Sequence, residues 1–354
     1  MNIGLLSMQR VANYGSFWQA YCLKNMLRQN HNNNVEFIDI IPGEVSSITP
    51  YKRQFSFSKI KRIPYYWFQK KKRKLFEQFQ RNVLMCLQTP NYSSDYDMVM
   101  IGSDEVFNFV QQSTWGFTSQ LYGNIDNPNV NSYAACFGYT TLNHIEKSAY
   151  KASIISSLNH MKRISVRDNN SALIVKSLTG RTPEIHFDPV IIGDLPEKLP
   201  IIDDSKYILV YAYDFRMSDP DVISQVKDFA KKKGLKIVSA GFYQKWVDKN
   251  ILPDPMQLLS YFNNADYVVT DTFHGTIFSV RYHKKFITVI RESNMQKLGD
   301  LLYRLDMVNR RYSVGDSLEI KLIPTIDYRK FEELRREQRA CTEKYLNECM
   351  NIIC

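Results

Sequence analysis

Short apolar runs alternate along this chain with polar turns and with stretches whose apolar positions recur every three to four residues. The runs at 2–7, 35–41, 97–101, 132–137, 163–166 and 185–187 read as strands, and 14–29, 145–158 and 169–178 as intervening helices. In the first helix Phe17, Tyr21 (or Ala20), Met26 and Leu27 form the inward stripe. The pattern then repeats. Strands are predicted at 207–213, 236–239, 267–269 and 286–290, and helices at 219–233, 254–261 and 276–282. Ser218 or Asp219 can cap the helix that begins at Pro220. Strand, polar turn and helix in this order predict mostly parallel sheets with helices on both faces. Pro196 and Pro200 mark a linker at 193–206, between domains at 1–195 and 205–325. Two segments fall outside the alternation. One is an aromatic and basic insertion at about 43–91, helical over 63–87 and expected to cross one side of the first sheet. The other is a charged helix at 328–350 with Phe331, Leu334, Tyr345 and Leu346 available for packing.

The richest turn lies at 265–278, ADYVVTDTFHGTIF. A buried strand opens into Asp271, His274, Gly275 and Thr276, with a helix expected from Thr276. This is where an open α/β sheet places a ligand, at the carboxyl end of a strand and facing a helix start. Gly275 would admit close backbone approach, first-turn N–H groups attract anions, and His274 titrates near neutrality in its ordinary state. The same residues also suit a plainer reading, in which Asp271 and Thr276 cap the helix and His274 is a satisfied turn residue. The other strand-end turns collect Asn13, Tyr14, Ser103, Asp104, Arg167 and Asp188 as one rim of a cleft. The turn after the first strand lacks GxGxxG spacing, which disfavours a dinucleotide-dependent dehydrogenase.

The formal charge of +10 over 354 residues favours anionic partners, but most of the excess sits in 52–81, including Lys70-Lys71-Lys72-Arg73-Lys74. That concentration, with no zinc-finger spacing beside it, argues against nucleic acid. Trp67, Phe68, Phe76 and Phe79 lie among these cations. The favoured reading is a solvated charged face with aromatics packed beneath; the other is peripheral contact with an anionic membrane. No stretch is apolar enough to span a bilayer, and the N-terminus reads as a first strand rather than a signal peptide, so a cytoplasmic location is expected. The six cysteines show no CxxC pair and read as thiols, with no metal signal.

Six ordered signatures resemble the polysaccharide pyruvyl transferase family. They are IGLLSMQRVANYGSFWQAYCL near the N-terminus, VMIGSDEVFN at 99–108, SYAACFG at 132–138, ISVRD at 164–168, HFDPV at 186–190 and DTFHGTIFSV at 271–280. Each is weak alone, and their order is specific. The resemblance implies an α/β fold of two Rossmann-like domains in a glycosyltransferase-B-like arrangement facing across a cleft, with the C-terminal helix returning to the first domain. It also implies transfer of a pyruvyl ketal from phosphoenolpyruvate to two hydroxyls of a sugar, in exopolysaccharide, capsule or cell-wall polymer synthesis. The family histidine falls on His274 and its arginine on Arg167, where Asp168 replaces the usual glutamate. Glu105 and Phe107 stand where many members have glutamine and tryptophan.

Phosphoenolpyruvate presents a carboxylate and a phosphate, which call for fixed cations or a helix start. Arg167, Gly275 and Thr276 are the expected donor contacts, with Arg281, Lys284 and Lys285 as weaker ones. His274 is the candidate acid, or the group that steadies the departing phosphate. Asp271 is expected to orient the ring or cap the helix. Asp104 is the candidate on the acceptor side, with Asn13, Tyr14, Ser103 and Glu105 around it. No cofactor or metal is required beyond the donor substrate. The expected acceptor is a sugar or lipid-linked oligosaccharide, at the inner face of a bacterial membrane. A nucleotide-sugar glycosyltransferase and a non-enzymatic binder of anionic polymer or nucleic acid are the alternatives. The sequence sets no oligomeric state.

Overall fold

The computed structural model describes residues 1–29, 32–43, 63–111, 113–214, 216–291 and 294–350. Of these, the residues within Met1–Ser56, Gln80–Leu195 and Arg335–Cys354 form one compact unit. Those within Phe57–Phe79 and Pro196–Leu334 form the other.

The first unit is built on β1 (Asn2–Leu6), β2 (Asn34–Ile38), β3 (Met98–Asp104), β4 (Val130–Ala135), β5 (Ser165–Val166) and β6 (Glu184–Ile185). Every pairing is parallel and the order is β2-β1-β3-β4-β5-β6. Both faces of the central strands are covered, and β4 is buried at all of its positions, its polar Asn131 and Ser132 included. Val99, Ile101, Phe107, Tyr122, Phe137, Leu158 and Ile174 share one core cluster.

The second unit is built on β7 (Tyr207–Tyr211), β8 (Lys236–Ala240), β9 (Lys249–Ile251), β10 (Tyr267–Thr270), β11 (Lys285–Val289) and β12 (Arg311–Tyr312). Its order, β12-β11-β10-β7-β8-β9, is again wholly parallel. Asp219 caps the helix Pro220–Lys233, and Asp254 forms a capping box with Gln257 at the head of Pro255–Asn264. Ile208, Val210, Val226, Phe229, Val269 and Ile287 form its core.

Four features differ from the sequence expectation or extend it. The helix after β10 spans Phe273–Arg281, so it begins before Thr276 and takes His274 and Gly275 into its first turn. Its cap is Thr272, whose hydroxyl accepts from Gly275 N–H; neither Asp271 nor Thr276 takes that role. The second sheet gains the short edge strands β9 and β12 beyond the four strands expected. The basic helix spans Ile63–Asn82, and through Phe79 it groups with the second unit, where an insertion crossing the first sheet was expected. Within the second unit, Gln69 Nε2 donates to Asp214 Oδ2 (2.9 Å) and Lys72 Nζ to the Gly241 carbonyl (2.9 Å). Lys72 also lies 4.2 Å from the Phe242 ring centroid. The basic stretch at 44–62 lies outside the described residues.

The last helix, Arg329–Cys349, divides between the units. Near its start, Glu332 meets His283 (2.9 Å) in the second unit. Farther on, in the first unit, Arg339 pairs with both carboxylate oxygens of Asp194 (2.7 and 3.0 Å) and Tyr345 donates to the Ser132 carbonyl (2.7 Å). The five described cysteines form no disulfide. Among the described residues no helix is long and apolar enough to cross a membrane.

Candidate functional site

In an open parallel sheet the chain leaves neighbouring strands in opposite directions at one point, and the crevice at the carboxyl ends there is open to a ligand. Strand order puts that point between β1 and β3 in the first unit and between β7 and β10 in the second.

In the first unit, Asn13 caps the helix Tyr14–Gln29, its side chain accepting from Gly15 N–H (2.8 Å). Tyr14 is fully buried. Two residues later, Ser16 Oγ donates to Asp104 Oδ2 (2.6 Å), joining the helix after β1 to the end of β3 across the switch point. Gln19, also buried, donates to Ser7 Oγ (2.7 Å) and accepts from Ser103 N–H (3.1 Å), which fixes the backbone that carries Asp104. Gly102 is obligatory there, since a Cβ would stand 2.2 Å from the Tyr133 carbonyl oxygen. Asp104 itself holds φ at +76°, a conformation rare outside glycine. Glu105 accepts from Asn108 Nδ2 (2.7 Å).

Arg167 is 3% exposed and donates to fully buried Asp188 (2.9 Å), with Asp104 Oδ1 3.9 Å away. Burial works against its charge, but Cys136, Asp188, Asp104 and Glu105 together hold its pKa well above the ordinary arginine value. Asp168 caps the helix Asn169–Thr179 through Ser171 N–H (2.8 Å) and accepts from the Cys136 thiol (2.9 Å). Burial, reinforced by Asp168, pushes that thiol's pKa upward.

In the second unit, Thr270 Oγ1 donates to the Tyr211 carbonyl (2.6 Å), tying β10 to β7 at their carboxyl ends. Asp271 follows, buried, accepting from Arg291 Nη2 and from Tyr213 N–H (3.3 Å). Burial raises its pKa against the opposing pull of Arg291, Arg216 and the Tyr213 N–H. Arg291 also donates to the Arg216 carbonyl (2.8 Å), and the Arg216 guanidinium lies 4.6 Å from the Tyr213 ring centroid. Asn294 donates to the carbonyls of Asp271 and Val289 (3.2 Å each). His274 is half-buried at the helix start, its ring edge-on to Phe273 at 5.4 Å.

The backbone groups expected to meet a phosphate are engaged internally. Gly275 N–H goes to Thr272 Oγ1 (2.9 Å) and Thr276 N–H to the Thr272 carbonyl (3.1 Å). Arg281 ends the helix, and Lys285 opposes Tyr267 at the amino end of β10, its Nζ donating to Ile323 O (3.1 Å). Neither is brought to the His274 turn. Lys284 Nζ donates to Asn263 O, also away from it.

The second unit therefore gathers His274, Asp271, Arg291, Arg216 and Tyr213 on one sheet edge. The first gathers Ser16, Ser103, Asp104, Arg167 and Asp188 on its own. Sequence reasoning passed over Arg291, Arg216, Asn294, Ser16 and Gln19. Arg291 and Arg216 each follow a strand's carboxyl end, so the rule that selected Asp271 would have found them.

Over 99% of this chain and 97% of the other, the structure is similar to a Staphylococcus aureus MnaA–UDP complex (TM-score 0.52, 12% identity). Comparison with UDP-GlcNAc 2-epimerase from Neisseria meningitidis bound to UDP-GlcNAc gives a TM-score of 0.47 at 12% identity, over 100% and 95% of the two chains. The Streptomyces sp. SF2575 glycosyltransferase SsfS6 with thymidine diphosphate gives 0.48 at 12%, over 98% and 99%. At such identity the first likeness speaks for the fold alone, the two-unit, glycosyltransferase-B-like α/β class expected from sequence. No curated protein matches the chain. A family model described as polysaccharide pyruvyl transferase matches residues 13–294, from the Asn13 cap to the Asn294 amide that holds the Asp271 carbonyl. With that match spanning most of its length, the chain belongs to the polysaccharide pyruvyl transferase family.

Proposed function

We propose that this protein transfers a pyruvyl group from phosphoenolpyruvate to two hydroxyls of a sugar in a polysaccharide or lipid-linked precursor. The observation that carries the reading is the family match, which takes in both switch-point clusters. The donor is a small dianion or trianion, and the second unit's cluster offers the cations it needs: Arg216 and Arg291, with His274 at a helix start. Asp271 takes the role of positioning Arg291, since its carboxylate accepts from that guanidinium.

The chemistry runs in two stages. His274 gives a proton to the donor's methylene carbon as one sugar hydroxyl adds to the neighbouring carbon, so that a C–O bond forms and the methylene becomes methyl. The second hydroxyl then displaces phosphate from that carbon and closes the ketal, its proton leaving with the phosphate. The attacking hydroxyl gives up its proton to a carboxylate base, a group of the kind the first unit offers in Asp104, held by Ser16. Arg167, paired with Asp188 and 3.9 Å from Asp104, sets a fixed positive charge beside both carboxylates.

Phosphate release from phosphoenolpyruvate, screened against soluble and lipid-linked sugars with product mass measured in parallel, tests the reading. Acceptor-dependent release with a mass gain of about 70 Da, the donor less phosphoric acid, is expected. Sugar transfer from a nucleotide donor, with indifference to phosphoenolpyruvate, would replace it with glycosyl transfer.

A further inference from the structure

We propose that the outward face of the basic helix Ile63–Asn82 is a docking surface for an anionic lipid membrane. Two contrasting faces run along this helix. Phe68, Gln69, Lys72, Leu75, Phe76 and Phe79 are half-buried or buried, following the three-to-four-residue spacing of a packed stripe. Gln69 and Lys72 fasten that stripe to Asp214 and Gly241, and Phe68 meets the Tyr243 ring at 6.2 Å.

The opposite face has another chemistry. Trp67 is 60% exposed and Tyr66 58%, and Lys70, Lys71, Arg73 and Lys74 are exposed beside them. At ~100° per residue these six fall within an arc of about 160°. No acidic residue occurs between Tyr66 and Lys74. Lys70 Nζ lies 5.9 Å from the Trp67 ring centroid, so the cation and the indole share one patch.

A solvated charged face accounts for the cations but leaves two large rings more than half exposed to water. A lipid headgroup layer takes both: lysine and arginine meet anionic phosphates, while indole and phenol rings settle at the boundary with the acyl chains. Cations and rings on one face thus fit a membrane surface, whose phosphates and headgroup–acyl boundary engage both at once.

The inward stripe is held by Asp214, beyond the end of β7, and Gly241, directly after β8. The helix therefore sits at the same carboxyl edge of the second sheet that bears His274, and a membrane bound to it would lie alongside that edge. The relevance to a lipid-linked acceptor rests on the function proposed above. The binding itself does not, and its test involves no turnover.

The experiment is vesicle co-sedimentation of the full chain at low salt. Phosphatidylcholine vesicles are compared with phosphatidylcholine–phosphatidylglycerol vesicles, and Trp67 emission is taken as the wild-type spectrum minus that of Trp67→Phe. Binding to the anionic vesicles alone is expected, with a blue shift of Trp67. A basic residue near an anionic surface contributes about fivefold, so replacing Lys70, Lys71, Arg73 and Lys74 together by Gln should weaken binding at least about a hundredfold. Replacing Tyr66 and Trp67 by Ala should also weaken it, with thermal melting unchanged in both variants. No binding to anionic vesicles would overturn the proposal. So would binding that survives loss of both rings, shows no blue shift and is competed equally by a soluble acidic polysaccharide, because the face would then be a polyanion site.

Discussion

Lys72 offers a sharp test of how the basic helix is held. Its ammonium is buried against the Gly241 carbonyl and the Phe242 ring, and burial lowers its pKa from 10.5 to about 8, against the opposing pull of Asp214. The unfolded chain carries an ordinary lysine, so between pH 8 and 10.5 it binds a proton that the folded chain has lost. Stability from this group therefore rises with pH across that window, and below pH 8 it settles at a constant deficit. The full span is about 3 kcal/mol at 1.36 kcal/mol per unit, of which about 1.3 kcal/mol falls between pH 7 and 9. Lys72→Met keeps the apolar stem and removes the titration. Urea unfolding of both proteins at pH 7, 8 and 9, with slopes compared to confirm that the same surface is exposed, isolates this group from the tyrosines that titrate in both. Wild type should gain about 1.3 kcal/mol on the variant from pH 7 to 9. Curves that move in parallel would refute the reasoning, and Lys72 would then be an ordinary hydrated lysine.

His274→Ala should lower turnover by about 10²–10⁴ with unchanged thermal melting, and near-normal turnover would remove the histidine from the chemistry. Gly275→Ala would set a Cβ 2.1 Å from Thr270 Oγ1, 2.6 Å from Thr272 Oγ1 and 2.7 Å from Tyr211 Cδ1. Thr270 is held by its bond to the Tyr211 carbonyl, so a loss of about 1–3 kcal/mol is expected in urea melts; wild-type stability would show that the turn yields freely. Arg167→Met leaves the Asp188 carboxylate buried without that cation and should cost about 3–5 kcal/mol. If the variant folds, a donor titration separates its two assignments: unchanged phosphoenolpyruvate affinity would rule out a direct grip on the donor.

Much of this architecture was legible because parallel strands covered on both faces leave an unmistakable mark. β1 to β4 of the first sheet and the four inner strands of the second stand out as largely apolar runs ending in turn residues. β5 and β6, two residues each, are caught only through their buried neighbours Ile164 and Phe187. β9 and β12 do not stand out, because strands of three and two residues at an edge bury too little to leave a pattern. The helix after β10 was misjudged for a different reason. Glycine reads locally as punctuation, yet Gly275 lies inside the helix because the space between helix and strand admits no side chain there. At the candidate site, the polar residues at strand ends could be read, but their partners could not. Arg291 meets Asp271 across 20 residues and Ser16 meets Asp104 across 88, separations that only the folded sheets bring together. The basic helix shows the same limit: its two faces follow from periodicity, whereas its attachment at Asp214 and Gly241 does not.

The closing helix imposes an order on biosynthesis. The first unit draws on residues made at both ends of the chain, with Tyr345 and Arg339 completing surfaces that Ser132 and Asp194 present. Between Leu195 and Arg335 the ribosome adds 139 residues, all of them belonging to the second unit. At ~5–20 residues per second that is a wait of about 7–28 s, during which the nascent first sheet exists without its final cover. The unit begun first is thus the one finished last. Its exposed backing, rather than any slow chemical step, is where a chaperone would have most to protect.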